Sequence, residues 1–445
     1  MLSAKGYIIK KSNLGNHNVL ESDIVTELTV KPKCDYTNNE MEEFCLCLET
    51  TTKLYLPKYY GLQKFGIPKQ NKMNIPKEIN IEFHGNLMKN QEEPVNVFLE
   101  SANDPLKMGG ILQLPPGYGK TVMALYIICK LRVKTLIIVH KEFLMNQWKE
   151  RIEQYVPNVN VGIIKQKVIE TENDIVIASL QSLCMKDYDE KVFEDFGFVI
   201  IDECHHIGAQ VFSQALRKVT FKYSLGLSAT VNRKDGLSKV FKWYIGDIIY
   251  KVKQKANVTC NIQKEIFEEN NESYNKECTL YNGRVNISRM INNICNYKPR
   301  TIFIVNKIKE LLEVNCSRNM IILSDRRNHL SELQELLKGV GIEDTGMYIG
   351  GMKNVELEKS KEKRIILGTF NMVSEGFDLP KLDTLILASP KSNIEQSVGR
   401  IQRKHEITEL DNIPLVIDIV DMFSVFVNQD KKRNAFYKKM KYIIL

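Results

Sequence analysis

The sequence predicts an α/β fold: two consecutive lobes, each a parallel sheet wrapped by helices, behind a small β-rich N-terminal domain. Three observations carry this expectation. Short runs that are apolar throughout, such as Thr135–Val139 and Phe198–Ile201, recur along the chain, as strands buried on both faces do. Amphipathic helical stretches separate them, which is the βα alternation of a parallel sheet. A glycine-rich turn around Gly117 and Gly119 joins one such run to a helical stretch.

Residues 1 to about 85 carry Pro32, Pro57, Pro68 and Pro76 between short β-leaning pieces, Phe44–Leu48 and Lys53–Leu56, and read as a small separate domain. From Ile111 the texture changes. Strands are expected at Ile111–Leu114, Thr135–Val139, Asp174–Ala178, Phe198–Ile201 and Ser224–Leu227, giving a first lobe over 86–252. Between two of them, Leu144, Trp148, Ile152 and Tyr155 fall on one helical face while Lys149, Glu150, Arg151 and Glu153 cover the other. The alternation breaks over 253–285, where Glu265, Glu268, Glu269 and Glu272 crowd among asparagines and lysines, the texture of a connector or surface insertion. It resumes with a helix at 301–313, a strand at Met320–Leu323 and a helix carrying Leu330, Leu333, Leu336 and Leu337. Strands at Arg364–Leu367, Thr384–Leu387 and Leu415–Ile419 complete a second α/β lobe over 286–445. The tail from Lys431 to Tyr442 reads as a basic helix with interleaved aromatics.

Composition excludes several classes. At 445 residues, 43% hydrophobic and 26% charged, the chain is ordinary globular material for two or three domains. Lysine and arginine outnumber the acids 62 to 54; a net charge of +8 suits solubility as well as a polyanionic partner. No apolar run approaches the roughly eighteen residues of a bilayer span, and the first residues lack the pattern of a secretory signal. An intracellular location with no membrane partner is therefore expected. The ten cysteines include no CxxC pair, and Cys45 and Cys47 alternate as in a strand, so buried thiols in a reducing compartment are expected.

The chemistry begins at Leu114–Thr121 (LPPGYGKT). A strand, a glycine loop and a helix N-terminus cradle phosphates because backbone N–H groups and the helix dipole converge on the anion. Pro115 and Pro116 have no N–H, so Gly117, Tyr118 and Gly119 supply the cradle. Lys120 then neutralises the β/γ-phosphates of ATP and Thr121 ligates Mg²⁺. The usual pattern opens with glycine, where Leu114 stands. The second segment is Val199–His206 (VIIDECHH). A strand ending in two carboxylates suits a Mg²⁺-dependent nucleotide hydrolase: Asp202 holds the metal, usually through water, and Glu203 polarises the attacking water. An acidic strand end facing solvent is the bland alternative. Zinc ligation by Cys204, His205 and His206 is another, although three adjacent residues on a strand do not easily converge on one metal.

Further motifs follow in order: Val139–Trp148 (VHKEFLMNQW), Ala178–Leu183 (ASLQSL), Ser228–Thr230 (SAT), Ile322–Arg326 (ILSDR), Gly368–Phe370 with Ser374–Pro380 (SEGFDLP), and Gln396–Arg403 (QSVGRIQR). Over about 86 to 440 the chain resembles the superfamily-two helicases, and within them the DECH group close to XPB/Rad25 as encoded by large nucleocytoplasmic DNA viruses. The resemblance implies tandem RecA-like lobes of the P-loop NTPase type, with ATP and Mg²⁺ between them and nucleic acid across their opposite face. It places Gln91 as the adenine-reading glutamine, Arg400 and Arg403 as arginine fingers with Gln396 beside them, and Gly376 and Asp378 along the ATP side. Ser182 and Thr369 would touch the nucleic-acid backbone. Read without the family, these residues are a surface glutamine, a solvated helix face and turn chemistry.

Two departures bear on strand separation. The triplet that reads Arg-Glu-Asp in XPB-like proteins is Arg233-Lys-Asp235 here, and the basic insertion typical of their second lobe has only the short, partly acidic stretch 253–300 as its counterpart. The expected function is an ATP-hydrolysing DNA helicase or translocase of DNA repair or transcription, acting on single- or double-stranded DNA, with RNA as a further substrate and the transcription or repair machinery as partner. One alternative is a duplex translocase that displaces a polymerase or releases a transcript without separating strands. Another is a nucleic-acid-binding scaffold without hydrolysis, against which the intact Lys120, Asp202, Glu203 and Arg400 stand. Heavy asparagine, lysine and isoleucine usage suits an AT-rich genome and favours a virus, with the nucleus, a viral factory or the virion as location.

Overall fold

The computed structural model describes all of the chain except residues 33–41, 116, 204–208, 230–235, 253–258, 375, 376, 378 and 403–411. The chain divides into two compact units, Met1–Lys253 and Gln254–Leu445. The first is built on an eight-stranded sheet in the order Val168–Ile169, Val161–Lys165, Ile175–Ser179, Thr135–Val139, Phe198–Asp202, Tyr223–Ser228, Gly109–Gln113, Ile248–Lys251. All neighbours are parallel except the outermost hairpin-like pair, Val168–Ile169 on Val161–Lys165. Alternate side chains of one strand feed two cores: Val199 and Ile201 join one apolar cluster, Phe198 and Ile200 the other, and none of the four retains exposed surface. Two-sided burial is why these strands read as unbroken apolar runs. Each such side chain contributes roughly 1.5–3 kcal/mol over its exposed state.

Residues 1–85 pack on the first lobe. Their four-stranded antiparallel sheet, ordered Leu2–Ser3, Gly6–Lys10, Lys53–Leu56, Leu48–Glu49, leads into a helix at Lys58–Phe65. That helix packs on Ser238–Ile245 of the first lobe, with the Tyr60 ring edge-on to Trp243 at 5.4 Å. Leu54, Tyr59 and Leu62 belong to one apolar core with Phe241 and Ile245. The seam is polar at its tips: Lys58 Nζ donates to the Lys222 carbonyl at 2.6 Å and Arg217 Nη2 to the Cys45 carbonyl at 2.7 Å. Burial, helped by the charge of Lys222, pushes the Lys58 ammonium down to about 7.

The second unit carries a seven-stranded, wholly parallel sheet: Thr345–Tyr348, Ile365–Thr369, Met320–Ser324, Thr384–Leu387, Leu415–Asp421, Asn261–Phe267, Ile443–Ile444. The expected connector over 253–285 therefore holds a strand of this sheet, Asn261–Phe267, paired along its whole length with Leu415–Asp421. Its sequence, NIQKEIF, lies one strand from the edge and fully buries only Ile262, so it lacks the apolar run that marks its neighbours. Two buried ion pairs brace this unit. Arg300 grips Asp421 with Nε and Nη2 at 2.7 and 2.8 Å and donates Nη1 to the Ala388 carbonyl at 2.7 Å, while the Tyr274 hydroxyl adds a bond to Asp421 at 2.8 Å. Arg433 Nε and the Tyr437 hydroxyl meet Asp418 Oδ2 at 2.8 and 3.0 Å. The last two residues lie on the basic tail, the helix Ser424–Lys439: its aromatic and arginine side face the core and leave Lys431, Lys432, Lys438 and Lys439 in solvent.

Candidate active site

The strand Gly109–Gln113 delivers the chain to the glycine loop, and the helix Lys120–Leu131 receives it. Gly117 and Gly119 sit at φ +78° and +80°, where an L side chain is strained. At Gly119 a Cβ would also stand 2.1 Å from Gln91 Nε2. The loop is pinned to the helix Lys89–Asn103 by two bonds: Gln91 Nε2 donates to the Tyr118 carbonyl at 3.1 Å, and the Tyr118 hydroxyl to the Asn90 carbonyl at 2.9 Å. At its root, the Leu114 N–H bonds the Ser228 carbonyl at 2.9 Å, so the Ser228–Thr230 motif begins beside the loop.

The carboxylates arrive from the strand Phe198–Asp202, two strands away across Tyr223–Ser228. Glu203, the first residue past the strand, adopts φ +48°, an uncommon conformation for a residue with a Cβ. Its Oε1 lies 2.6 Å from Lys120 Nζ. Asp202 is 7% exposed, and its Oδ2 accepts from the indole Nε1 of Trp148 at 2.9 Å. Burial first, and then the neighbouring Glu203 charge, push the Asp202 carboxyl up to about 6, against the opposing pull of Lys120 and Trp148. Two carboxylates and the Thr121 hydroxyl make a set of oxygen donors, which suits a small hard cation such as Mg²⁺. Cys204, His205 and His206, the weighed zinc ligands, lie outside the described residues, and no cluster of three or more His, Cys, Asp or Glu suited to a metal occurs among those that are described.

Sequence reasoning missed Trp148 as a member of this site. It was visible as an apolar face residue of the helix Glu142–Tyr155 and as the end of the Val139–Trp148 motif, without a role of its own; the available signal was that a buried indole N–H needs an acceptor. Gln91 lies against the loop, but its amide is engaged at both ends, with Oε1 accepting from the Met88 N–H at 3.0 Å and Nε2 donating to Tyr118. Ser182 is not brought to the loop. It is buried, and its Oγ accepts the Gln166 N–H at 2.8 Å. In the second unit, Thr369 ends the strand Ile365–Thr369 beside Ser324, and Gln396 lies half-buried on the short helix Glu395–Val398. Arg400 is buried and donates Nη1 to the Phe377 carbonyl at 2.7 Å. Gly376, Asp378 and Arg403 lie outside the described residues, as does the Arg233-Lys-Asp235 triplet.

The chain is similar to known proteins along most of its length. Residues 84–233 match the family described as type III restriction enzyme, res subunit, and residues 304–407 match the helicase conserved C-terminal domain. L396 of Acanthamoeba polyphaga mimivirus, which bears the name of an ATP-dependent RNA helicase, is 37% identical over 454 residues, covering 99% of this chain and 85% of that protein. The protein 161L of Invertebrate iridescent virus 6, named as a helicase, is 27% identical over 453 residues, 95% of this chain and 97% of that one. Among solved structures, S. cerevisiae Dbp5 bound to RNA and ADP BeF3 shares the fold, with a TM-score of 0.52 at 13% identity over 80% of this chain and 89% of that chain.

Proposed function

Because the chain belongs to the superfamily-two helicases, related to those of large DNA viruses, we propose that it is a DNA helicase or translocase of the XPB/Rad25-like DECH group, hydrolysing ATP to move along DNA in repair or transcription. The observation that carries the hydrolytic part is the meeting of Lys120 and Glu203 at 2.6 Å with Asp202 at the adjacent strand end. In this reading the N–H groups from Gly117 onward and Lys120 bind the phosphates, and Lys120 exchanges its bond to Glu203 for one to the nucleotide. Glu203, released, orients the attacking water and takes its proton. Trp148 keeps Asp202 in place. Mg²⁺, when held by Thr121 and Asp202, supplies charge stabilisation to the phosphoryl group. Arg400 and Arg403 act as phosphate-neutralising arginines with Gln396 beside them, Gly376 and Asp378 border the nucleotide, Gln91 serves the adenine, and Ser182 and Thr369 belong to the strand-contacting motifs.

The name carried by L396 supports a second reading, in which the strand is RNA. ATP hydrolysis measured with single-stranded DNA, duplex DNA and single-stranded RNA, beside a strand-displacement assay, separates the readings. DNA-stimulated hydrolysis with displacement supports a helicase, and stimulation without displacement a translocase. Stimulation by RNA alone moves the substrate, and no hydrolysis with any of them leaves only a binding scaffold.

A further inference from the structure

The N-terminal sheet bears a groove of about 730 Å³ that the helicase motifs do not account for. Its walls carry Lys10, Lys53, Lys69, Lys72 and His17, with Phe65 as an aromatic flank, and no carboxylate lines it among the described residues. Two other lysines of the same sheet-and-helix region are ion-paired, Lys11 with Glu21 and Glu49, and Lys64 with Glu27. The four groove lysines have no acidic partner among the described residues.

Their placement is costly unless something negative comes to them. Lys10 and Lys53 are direct cross-strand partners on the antiparallel pair Gly6–Lys10 and Lys53–Leu56, where like charges facing each other destabilise the pair. Lys69 and Lys72 sit on a segment fixed along the first strand, because the Leu2 N–H bonds the Gln70 carbonyl at 3.0 Å and the Lys72 N–H bonds the Leu2 carbonyl at 2.8 Å. Phe65 is held between Tyr7, stacked at 5.9 Å, and His17, edge-on at 5.1 Å. Fixed cations at spaced points beside a half-buried ring suit a chain of phosphates carrying flat bases.

We propose that this groove holds the sugar-phosphate backbone of a single nucleic-acid strand, a contact additional to those of the two motor lobes. The proposal rests on the preceding reading only in taking nucleic acid as the protein's partner. It is tested on the full chain without nucleotide, by anisotropy of a fluorescein-labelled thirty-nucleotide single-stranded DNA across a potassium chloride series. Four phosphate contacts on a single strand, at roughly 0.7 each, put about 3 into the slope of log affinity against log salt. The quadruple variant Lys10→Ala, Lys53→Ala, Lys69→Ala, Lys72→Ala should lose that much slope and bind at least about tenfold more weakly near 0.1 M salt. The quadruple arginine variant should retain both, and basal ATP hydrolysis should be unchanged in each. If the alanine variant melts early, Lys69→Glu with Lys72→Glu, on the exposed segment, gives the same readout. An unchanged slope and affinity in a folded variant overturns the proposal. So does unchanged strand binding with lost adhesion to phosphatidylserine-containing vesicles, which assigns the groove to a lipid surface. A wild-type chain that binds DNA but does not hydrolyse ATP sinks the motor reading and leaves the groove test standing.

Discussion

Replacing Trp148 by phenylalanine removes one N–H from the candidate active site and leaves a ring on the same helical face. Asp202 is nearly enclosed, and the indole supplies the side-chain hydrogen bond at 2.9 Å that orients its Oδ2. A hydrogen bond to a charged group contributes about 1.5–3 kcal/mol, and an enclosed carboxylate deprived of it turns toward whatever donor remains. If Asp202 must keep its position for hydrolysis, the same energy appears in the barrier, so kcat should fall roughly 10- to 150-fold. The magnesium concentration for half-maximal rate should rise, while KM for ATP, set mainly by the loop and Lys120, should change little. The smaller ring also leaves a void and lowers stability by about 1–3 kcal/mol, which a thermal melt reads separately. The assay is steady-state ATP hydrolysis with DNA over a magnesium titration, on protein shown to be folded at the assay temperature. A Trp148→Phe protein with kcat within twofold of wild type at every magnesium concentration would refute the assignment of Trp148 as a positioning residue for Asp202.

Lys120→Ala should abolish hydrolysis but leave nucleotide-free affinity for a DNA strand nearly intact, as measured by anisotropy, because phosphate binding and strand binding use different groups. Arg300→Met should destabilise the second unit by about 3–5 kcal/mol in urea denaturation, since it strands the buried Asp421 charge, whereas Arg300→Met with Asp421→Leu should recover most of the loss. Burial, aided by the Arg300 charge, pushes His329 down to about 3 from its ordinary value near 6.5. The unfolded chain therefore takes up the proton first: stability is full above about pH 6.5 and is lost as pH falls toward 3. His329→Gln should flatten the fall of Tm between pH 6.5 and 4, and an identical pH profile in both proteins would remove His329 from the acid sensitivity.

Much of this architecture is legible in the sequence because of how the central strands are buried. Thr135–Val139 and Phe198–Asp202 are enclosed on both faces, so every position is apolar or small until the strand emerges, and the emergence itself marks Asp202 and Glu203. The glycine loop was legible because backbone geometry, not packing, selects glycine at 117 and 119. What escaped notice was governed by tertiary partners that leave no local pattern. Asn261–Phe267 is a strand because Leu415–Asp421 lies beside it, and its own residues are as polar as a loop. Gln91 was expected from the family resemblance, but that its amide fastens the loop at Tyr118 is a matter of three-dimensional proximity. The tail read as a basic helix with interleaved aromatics. Arg433 and Tyr437 turn inward only because Asp418, in a strand of its own, awaits them.

The seam between residues 1–85 and the first lobe decides where this chain can be divided. A cut near residue 85 would take Tyr60 away from Trp243, leave Phe221 and Tyr244 facing water, and release the carbonyl that Lys58 occupies. The remainder would expose a contiguous apolar face of the kind that drives self-association. A cut near 253 falls at the boundary between the two compact units. The first 253 residues are thus the smallest piece of the amino-terminal half that can be handled, crystallised or fused to another protein without creating a sticky surface, and insertions at the 85 boundary should be as disruptive as insertions within a helix of the lobe itself.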